Sequence, residues 1–103
     1  MKYKCCFPSE STQKRFEKNL SQIPHDNLQD EIMEAIAKLE ENPRPFGAKP
    51  FKQLNPPIQC YNFTAHYRIR VRDYRVLYDI TDEKKIIWII ALKKRDERTY
   101  RSS

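Results

Sequence analysis

Apolar positions near the start of the chain predict one short strand followed by a helix. The aromatic and cysteine run from Tyr3 to Phe7 indicates the strand. Ser9 or Ser11 can then cap a helix, because both side chains can accept a bond from a free backbone N–H. The apolar residues of this helix recur at helical spacing, and they are Phe16, Leu20 and Ile23. Pro24 marks its end.

A second helix is predicted directly after this proline. Asp26 or Asn27 can cap it, and the segment ends at Asn42-Pro43. Its apolar residues form a single stripe, and they are Leu28, Ile32, Ala35, Ile36 and Leu39. Residues 42–57 then contain five prolines and the only glycine, Gly47. This composition predicts an irregular connection.

From Cys60 onward the apolar period changes to two, which is typical of strands. The segment 67–78, YRIRVRDYRVLY, places apolar side chains on one face of a strand and arginines on the other. The apolar set is Tyr67, Ile69 and Val71, and the arginine set is Arg68, Arg70 and Arg72. If Arg72-Asp73 is a two-residue turn, Arg70 lies opposite Arg75.

The last predicted strand, from Lys84 to Leu92, is apolar on both faces over most of its length. This pattern is typical of a central strand with a layer on each side, or with a partner covering one side. The predicted order is β-α-α-β-β-β in a single domain, 1–103. The fold class is α+β, with the helical pair on one face of a mostly antiparallel sheet and the arginine face open.

Arginines that lie opposite each other lower the stability of a sheet, so their presence calls for an explanation. One interpretation is a solvated sheet face without further function. The favoured interpretation is an anion site formed by Arg68, Arg70 and Arg75. Guanidinium groups bind phosphate with two parallel hydrogen bonds, which makes phosphate the expected anion.

The charge distribution supports an acidic partner. Residues 66–103 hold eleven Lys or Arg against six Asp or Glu, and these residues account for most of the net charge of +6. Such asymmetry indicates binding to nucleic acid or to an acidic protein segment. The chain shows no apolar run long enough for a signal peptide or a membrane span, so a cytoplasmic protein is expected.

The cysteines and histidines do not form a recognisable chemical motif. Cys5, Cys6 and Cys60 are odd in number, and they are interpreted as small apolar residues that are buried or half-buried. Neither His25 nor His66 has the other histidine, a cysteine or a carboxylate at metal-ligand spacing. No metal site and no cofactor are expected.

The whole pattern resembles the RelE/ParE toxin superfamily of bacterial toxin–antitoxin modules. The resemblance covers nearly the full chain, in the segments FPSESTQKRFEKNL, AIAKLEENPRPFGAKPFKQL, HYRIRVRDYRVLYDI and KKRDERTY. It implies one RelE-like toxin domain and a cognate antitoxin as partner. RelE-like members cut messenger RNA in the ribosomal A site, whereas ParE-like members inhibit DNA gyrase and are not nucleases. A basic module that binds an acidic protein segment is a third alternative.

The matches to basic residues of the RelE-like branch favour a ribosome-dependent endoribonuclease. The resemblance implies that Arg68, Arg70 and Arg75 hold the phosphate, that Arg95 stabilises the leaving oxygen and that Tyr100 accepts the proton of the 2′-hydroxyl. Further RNA contacts are implied at five basic positions, which are Lys49, Lys52, Arg72, Lys94 and Arg98.

Two positions depart from the family pattern. Arg72 stands where many relatives have a glycine, so the turn is either strained or of a different type. Arginine also stands on the central strand where the nucleases tend to have lysine. Because an arginine cannot act as a base, proton transfer must fall to other residues.

Overall fold

A computed structural model describes residues 2–94, which form a five-stranded sheet with two helices packed on one face. The elements in chain order are β1 (Lys4–Cys6), α1 (Glu10–Ser21), α2 (Asp26–Leu39), β2 (Phe51–Cys60), β3 (Phe63–Val71), β4 (Tyr74–Thr81) and β5 (Ile86–Lys94). The strands lie in the order β1-β5-β4-β3-β2, with β1 parallel to β5 and the other neighbours antiparallel. The predicted α+β fold class is confirmed. Neither described helix is long and apolar enough to cross a membrane.

The two helices begin in different ways. Ser9 caps α1 as predicted, because its hydroxyl accepts a hydrogen bond from the Thr12 backbone N–H at 3.1 Å. The prediction for α2 is wrong, since the residue at the cap position is His25 and its side chain makes no capping bond. Asp26 instead lies in the first turn, where a carboxylate stabilises the positive end of the helix dipole.

The predicted irregular connection over 42–57 is too long, because β2 begins within it at Phe51. The register of β2 against β3 shifts between Gln53 and Ile58, and Pro56 and Pro57 lie inside this irregularity. β2 is also the edge strand of the sheet. Prolines are tolerated at edges and bulges because their missing N–H groups need not pair there.

The hairpin of β3 and β4 has the predicted register. Ile69 lies opposite Val76, and Arg70 lies opposite Arg75. Arg72 occupies the first position of the turn with a φ of 58°, a region that non-glycine residues rarely adopt. The register of the hairpin is therefore kept at the expense of backbone strain in its turn.

The helix-facing side of the sheet holds the main core. The apolar stripes of both helices pack there against the strands, and the buried members include Phe16, Ile32, Ile36, Tyr67, Ile69, Val76, Tyr78 and Ile87. Cys60 is buried, and Cys5 and Cys6 are half-buried, in agreement with their interpretation as small apolar residues. Burial next to Glu40 raises the pKa of the Cys5 thiol to about 12.

A second buried cluster lies on the opposite side of the sheet. It consists of Leu54, Cys60, Ala65, Leu77, Ile90 and Ala91, with Ile58 and Phe63 packed against it. The ends of β2 and β3 thus cover the middle of the face that was expected to be open. This second layer explains why the sequence of β5 is apolar on both faces.

A polar network fastens the segment after α2 to the sheet. The Arg44 guanidinium donates two hydrogen bonds of 3.0 Å to the Asp82 carboxylate and one of 2.9 Å to the Tyr67 hydroxyl. The Tyr3 hydroxyl also donates to Asp82, at 2.7 Å. These bonds favour the ionised carboxylate, so the pKa of Asp82 lies below its ordinary value of 3.8.

The strained turn gives a first testable prediction. Arg72→Gly should be more stable than Arg72→Ala by about 1 kcal/mol, because glycine adopts positive φ without steric cost. Both variants lose the same side-chain contacts, so the difference between their free energies of unfolding reports the backbone strain alone. Urea unfolding measures it. Equal stability of the two variants would show that the turn is not strained.

The Asp82 network predicts that the stability of the fold depends on pH. Because the pKa of Asp82 is lowered by folding, its contribution is complete above the ordinary value of 3.8 and disappears as the pH falls through the lower folded value. Asp82→Asn should lower the unfolding temperature at pH 6. The gap to the parent should narrow as the pH falls below 3.8. Glu83→Gln, at an exposed position beside it, is the control. A gap that stays constant as the pH falls below 3.8 would contradict this origin.

Candidate functional site

Three basic residues form a row across the face of the sheet opposite the helices. Arg70 on β3 lies opposite Arg75 on β4, which lies opposite Lys93 on β5. Adjacent strands are about 4.8 Å apart, so the backbone holds the three residues close together. All three are half-buried, which limits the screening of their charges by water. We call Arg70, Arg75 and Lys93 the cationic row.

The neighbouring row on the same face adds two more cations. Lys52 on the edge strand β2 lies opposite Arg68 on β3, and Lys52 is exposed. Arg68 Nη1 donates a 2.8 Å hydrogen bond to the carbonyl oxygen of Pro50, which also accepts a bond from the Arg70 backbone N–H. The loop before β2 therefore orients Arg68 beside the cationic row. Lys49 is exposed in that loop.

The structure places Arg72 away from the cationic row. The strand alternation ends at Val71, and Arg72 lies in the turn, where it forms two hydrogen bonds of 3.0 and 3.1 Å with Glu31 on α2. The expected orientation with Arg68 and Arg70 is wrong for this residue. Arg72 instead lowers the pKa of Glu31 by stabilising its carboxylate.

Four predicted site residues remain, one inside the described part of the chain and three outside it. Lys94 ends β5 opposite Tyr74, and strand alternation puts it on the other face from Lys93. The predicted site residues Arg95, Arg98 and Tyr100 lie outside the described residues.

Tyr61 is a residue that the sequence interpretation missed. It lies in the turn between β2 and β3, is 43% exposed and has a φ of 59°. The Arg15 guanidinium carbon lies 3.7 Å from the centre of its ring, and Lys93 Nζ lies 5.1 Å from it. Cation–π attraction thus joins the turn to α1 and to one end of the cationic row. The sequence signal that could have predicted this turn is the dipeptide Tyr61-Asn62, which lies between two segments of alternating apolar and polar residues.

His66 was expected to be isolated, and the structure corrects this. Its Nδ1 lies 3.0 Å from the Asp79 Oδ1, in a pair formed across β3 and β4. The two residues are far enough apart in sequence that only the hairpin register brings them together. No group of three or more metal-ligating side chains occurs among residues 2–94.

Electrostatically, the site is suited to hold an anion. Strand pairing fixes the backbone of the cationic row and keeps like charges on neighbouring strands, which is an arrangement with electrostatic repulsion. A bound phosphate would relieve it and would accept hydrogen bonds from the guanidinium groups. Arginine cannot lose its proton at physiological pH, so these arginines can supply charge and orientation but not a base.

Solved structures of RelE toxins share this architecture. The toxin in the archaeal RelE-RelB complex from Pyrococcus horikoshii OT3 is 24% identical, with a TM-score of 0.67 over 94% of this chain and 99% of the other. The RelBE2 toxin–antitoxin complex of Mycobacterium tuberculosis gives 21% identity, 92% and 100% coverage and a TM-score of 0.61. A mutant of the E. coli toxin RelE in the free state gives 19% identity, 99% and 93% coverage and a TM-score of 0.54. The fold is therefore that of the RelE toxins.

The sequence defines the family. Residues 11–99 match the family model described as the ParE toxin of the type II toxin–antitoxin system, parDE. The chain belongs to this toxin family and hence to the RelE/ParE superfamily, as its sequence predicted. No curated protein matches the chain closely enough to be counted as a relative.

The contact between Arg15 and Tyr61 gives a prediction for this site. Tyr61→Phe keeps the aromatic ring and should have the stability of the parent. Tyr61→Leu keeps apolar bulk without the ring and should lose about 0.5–1 kcal/mol. Chemical denaturation of both variants makes the comparison. If the leucine variant were as stable as the phenylalanine variant, the ring would not hold the turn.

Proposed function

We propose that this toxin is an endoribonuclease that cuts messenger RNA in the A site of the ribosome and so inhibits translation. The observation that carries the proposal is the cationic row of Arg70, Arg75 and Lys93. Like charges opposite each other on neighbouring strands are unfavourable in a sheet, and a bound phosphate would compensate them. The position of Lys52 and Arg68 beside it extends the surface available to an RNA backbone.

The proposed reaction is an attack of the RNA on its own backbone. The 2′-oxygen forms a bond to the adjacent phosphorus while the bond from phosphorus to the 5′-oxygen breaks. A base takes the 2′-proton and an acid returns a proton to the 5′-oxygen, so the products are a 2′,3′-cyclic phosphate and a 5′-hydroxyl. Arg68, Arg70 and Arg75 stabilise the negative charge that develops on the phosphate oxygens.

Proton transfer is assigned to residues beyond β5 by resemblance to the RelE-like branch. Tyr100 is the proposed base, because the neighbouring cations Lys94, Arg95 and Arg98 in the sequence favour its ionised form. Arg95 is the proposed stabiliser of the leaving oxygen. Tyrosine and arginine are weak acid–base catalysts and would accelerate the cleavage only a little. The proposal therefore includes a ribosome that holds the messenger in a reactive conformation. Free RNA is then a poor substrate.

The proposed partner that controls the toxin is a cognate antitoxin with an acidic segment. Type II toxins belong to toxin–antitoxin pairs, and the structurally similar toxins from Pyrococcus horikoshii and Mycobacterium tuberculosis were solved as toxin–antitoxin complexes. The net charge of +6 supports attraction to an acidic segment. An activity that requires ribosomes would take place in the cytoplasm, and this location is part of the proposal.

A second candidate is inhibition of DNA gyrase without nuclease activity. The observation that favours it is the match to the ParE toxin family. In that case the cationic row would be a docking surface for a protein, and the basic end of the chain would need no catalytic residue.

One pair of assays separates the two candidates. Primer extension on a messenger in a translating extract, with and without ribosomes, should show cleavage that requires ribosomes. Gyrase supercoiling with the same purified protein should be unaffected. Block of supercoiling without messenger cleavage would replace the nuclease by the gyrase inhibitor.

The cationic row predicts the behaviour of two variants. Arg70→Ala and Arg75→Ala should each reduce messenger cleavage about a hundred-fold, because each removes a group that stabilises charge in the transition state. Both variants should stay folded, and Arg70→Ala should be at least as stable as the parent because repulsion is relieved. Lys84→Ala, at an exposed position before β5, is the control and should cut normally. Full cleavage by both arginine variants would remove the row from the mechanism, and their unfolding would assign it a structural role.

A further inference from the structure

A separate cleft lies on the same face of the sheet as the cationic row. Its volume is about 360 Å³, and it is lined by Pro8, Phe63, Thr64, Asp79, Trp88 and Ile90. Asp79 is four residues from Arg75 along β4, which is about 13 Å in a strand. Leu77 lies between them and is fully buried within the second apolar cluster. The cleft and the cationic row are therefore two sites on one face.

The walls of the cleft are suited to a flat ring. Phe63 and Trp88 are aromatic and half-buried, and Ile90 provides an apolar surface beside them. The indole Nε1 of Trp88 donates a 2.9 Å hydrogen bond to the Thr81 hydroxyl, which satisfies its polar atom and fixes the ring. An aromatic wall held in this way stacks a planar ligand at little entropic cost.

The charged group of the cleft is a hydrogen-bond acceptor. Asp79 is 32% exposed, and its Oδ1 lies 3.0 Å from His66 Nδ1. A carboxylate offers about four lone-pair sites, so the contact with His66 leaves acceptor capacity for a ligand. The hydrogen bond to His66 also holds the carboxylate in one orientation. A ligand for this cleft is thus planar and presents N–H donors.

We propose that this cleft binds a guanine base of the RNA substrate, an inference that rests on the proposed nuclease function. Guanine is the RNA base whose Watson–Crick edge carries two adjacent N–H donors, and a carboxylate can accept both. Adenine and cytosine present one amino group there, and uracil presents one ring N–H. Single-stranded RNA is commonly recognised by stacking on aromatic side chains together with hydrogen bonds to this edge.

The position of the cleft makes it a specificity site. A strand whose phosphate lies on the cationic row continues across the same face, and a base further along it enters the cleft. The chain would then cut at a fixed spacing from a guanine, independently of the groups that perform the chemistry. Asp79 acts on the choice of substrate and not on the reacting atoms.

Trp88 provides a direct test, because it is the only tryptophan of the chain. The fluorescence of the purified protein is titrated with GMP, AMP, CMP and UMP, and free tryptophan amide corrects for absorption by the nucleotides. GMP should quench the signal saturably, at concentrations about tenfold or more below the other three. Asp79→Asn should lose this preference, while Glu83→Gln should keep it. Inorganic phosphate alone should leave the signal unchanged.

The outcomes distinguish this inference from the proposed function. Equal quenching by all four nucleotides, or none, would overturn the guanine site even if the protein cuts messenger. Stronger quenching by methylguanidinium than by GMP would also overturn it, and would assign the cleft to an arginine of a protein partner. Selective binding of GMP would support the site. If that result came with no cleavage in a translating extract, the nuclease proposal would fail while base binding stood.

Discussion

The pairing of Ile69 with Val76 is the constraint on which the functional face depends. Both side chains are buried against the helices, and each contributes roughly 1.5–3 kcal/mol by leaving water. Because side chains alternate along a strand, this pairing forces Arg70 to lie opposite Arg75 on the other face. Repulsion between one such pair costs about 0.2–1 kcal/mol, so the core decides the register. A shift by one residue would turn the arginines into the core.

The second layer of the sheet organises that face into separate regions. Residues from the ends of β2 and β3 cover Leu77, Ile90 and Ala91, so the centre of the face is apolar and closed. Cations lie on one side of this cover, and the aromatic cleft with its carboxylate lies on the other. Tyr61, at the tip of the covering hairpin, contacts Lys93 and thereby connects the cover to the cationic row. The same fold thus presents charge for a phosphate and a ring-lined cleft for a base.

Features set by local spacing could be predicted from the sequence, and features set by distant contacts could not. The Ser9 cap and the hairpin register follow from residues that are close in the chain. Strand β2 was missed because its prolines argue locally against a strand, and pairing with β3 overrides them at the sheet edge. The contacts of Tyr61 and the pair of His66 with Asp79 depend on how the strands are brought together. Local composition carries no signal for such contacts.

Thermal unfolding in phosphate and in sodium chloride at equal ionic strength tests most directly whether the cationic row is an anion site. Binding to the folded state raises the unfolding temperature, so phosphate should stabilise the parent beyond its general effect on proteins. Arg75→Gln keeps the general effect and should lose the specific part. A larger phosphate shift in the parent than in this variant is the expected result. Equal shifts in the two proteins would contradict the anion site.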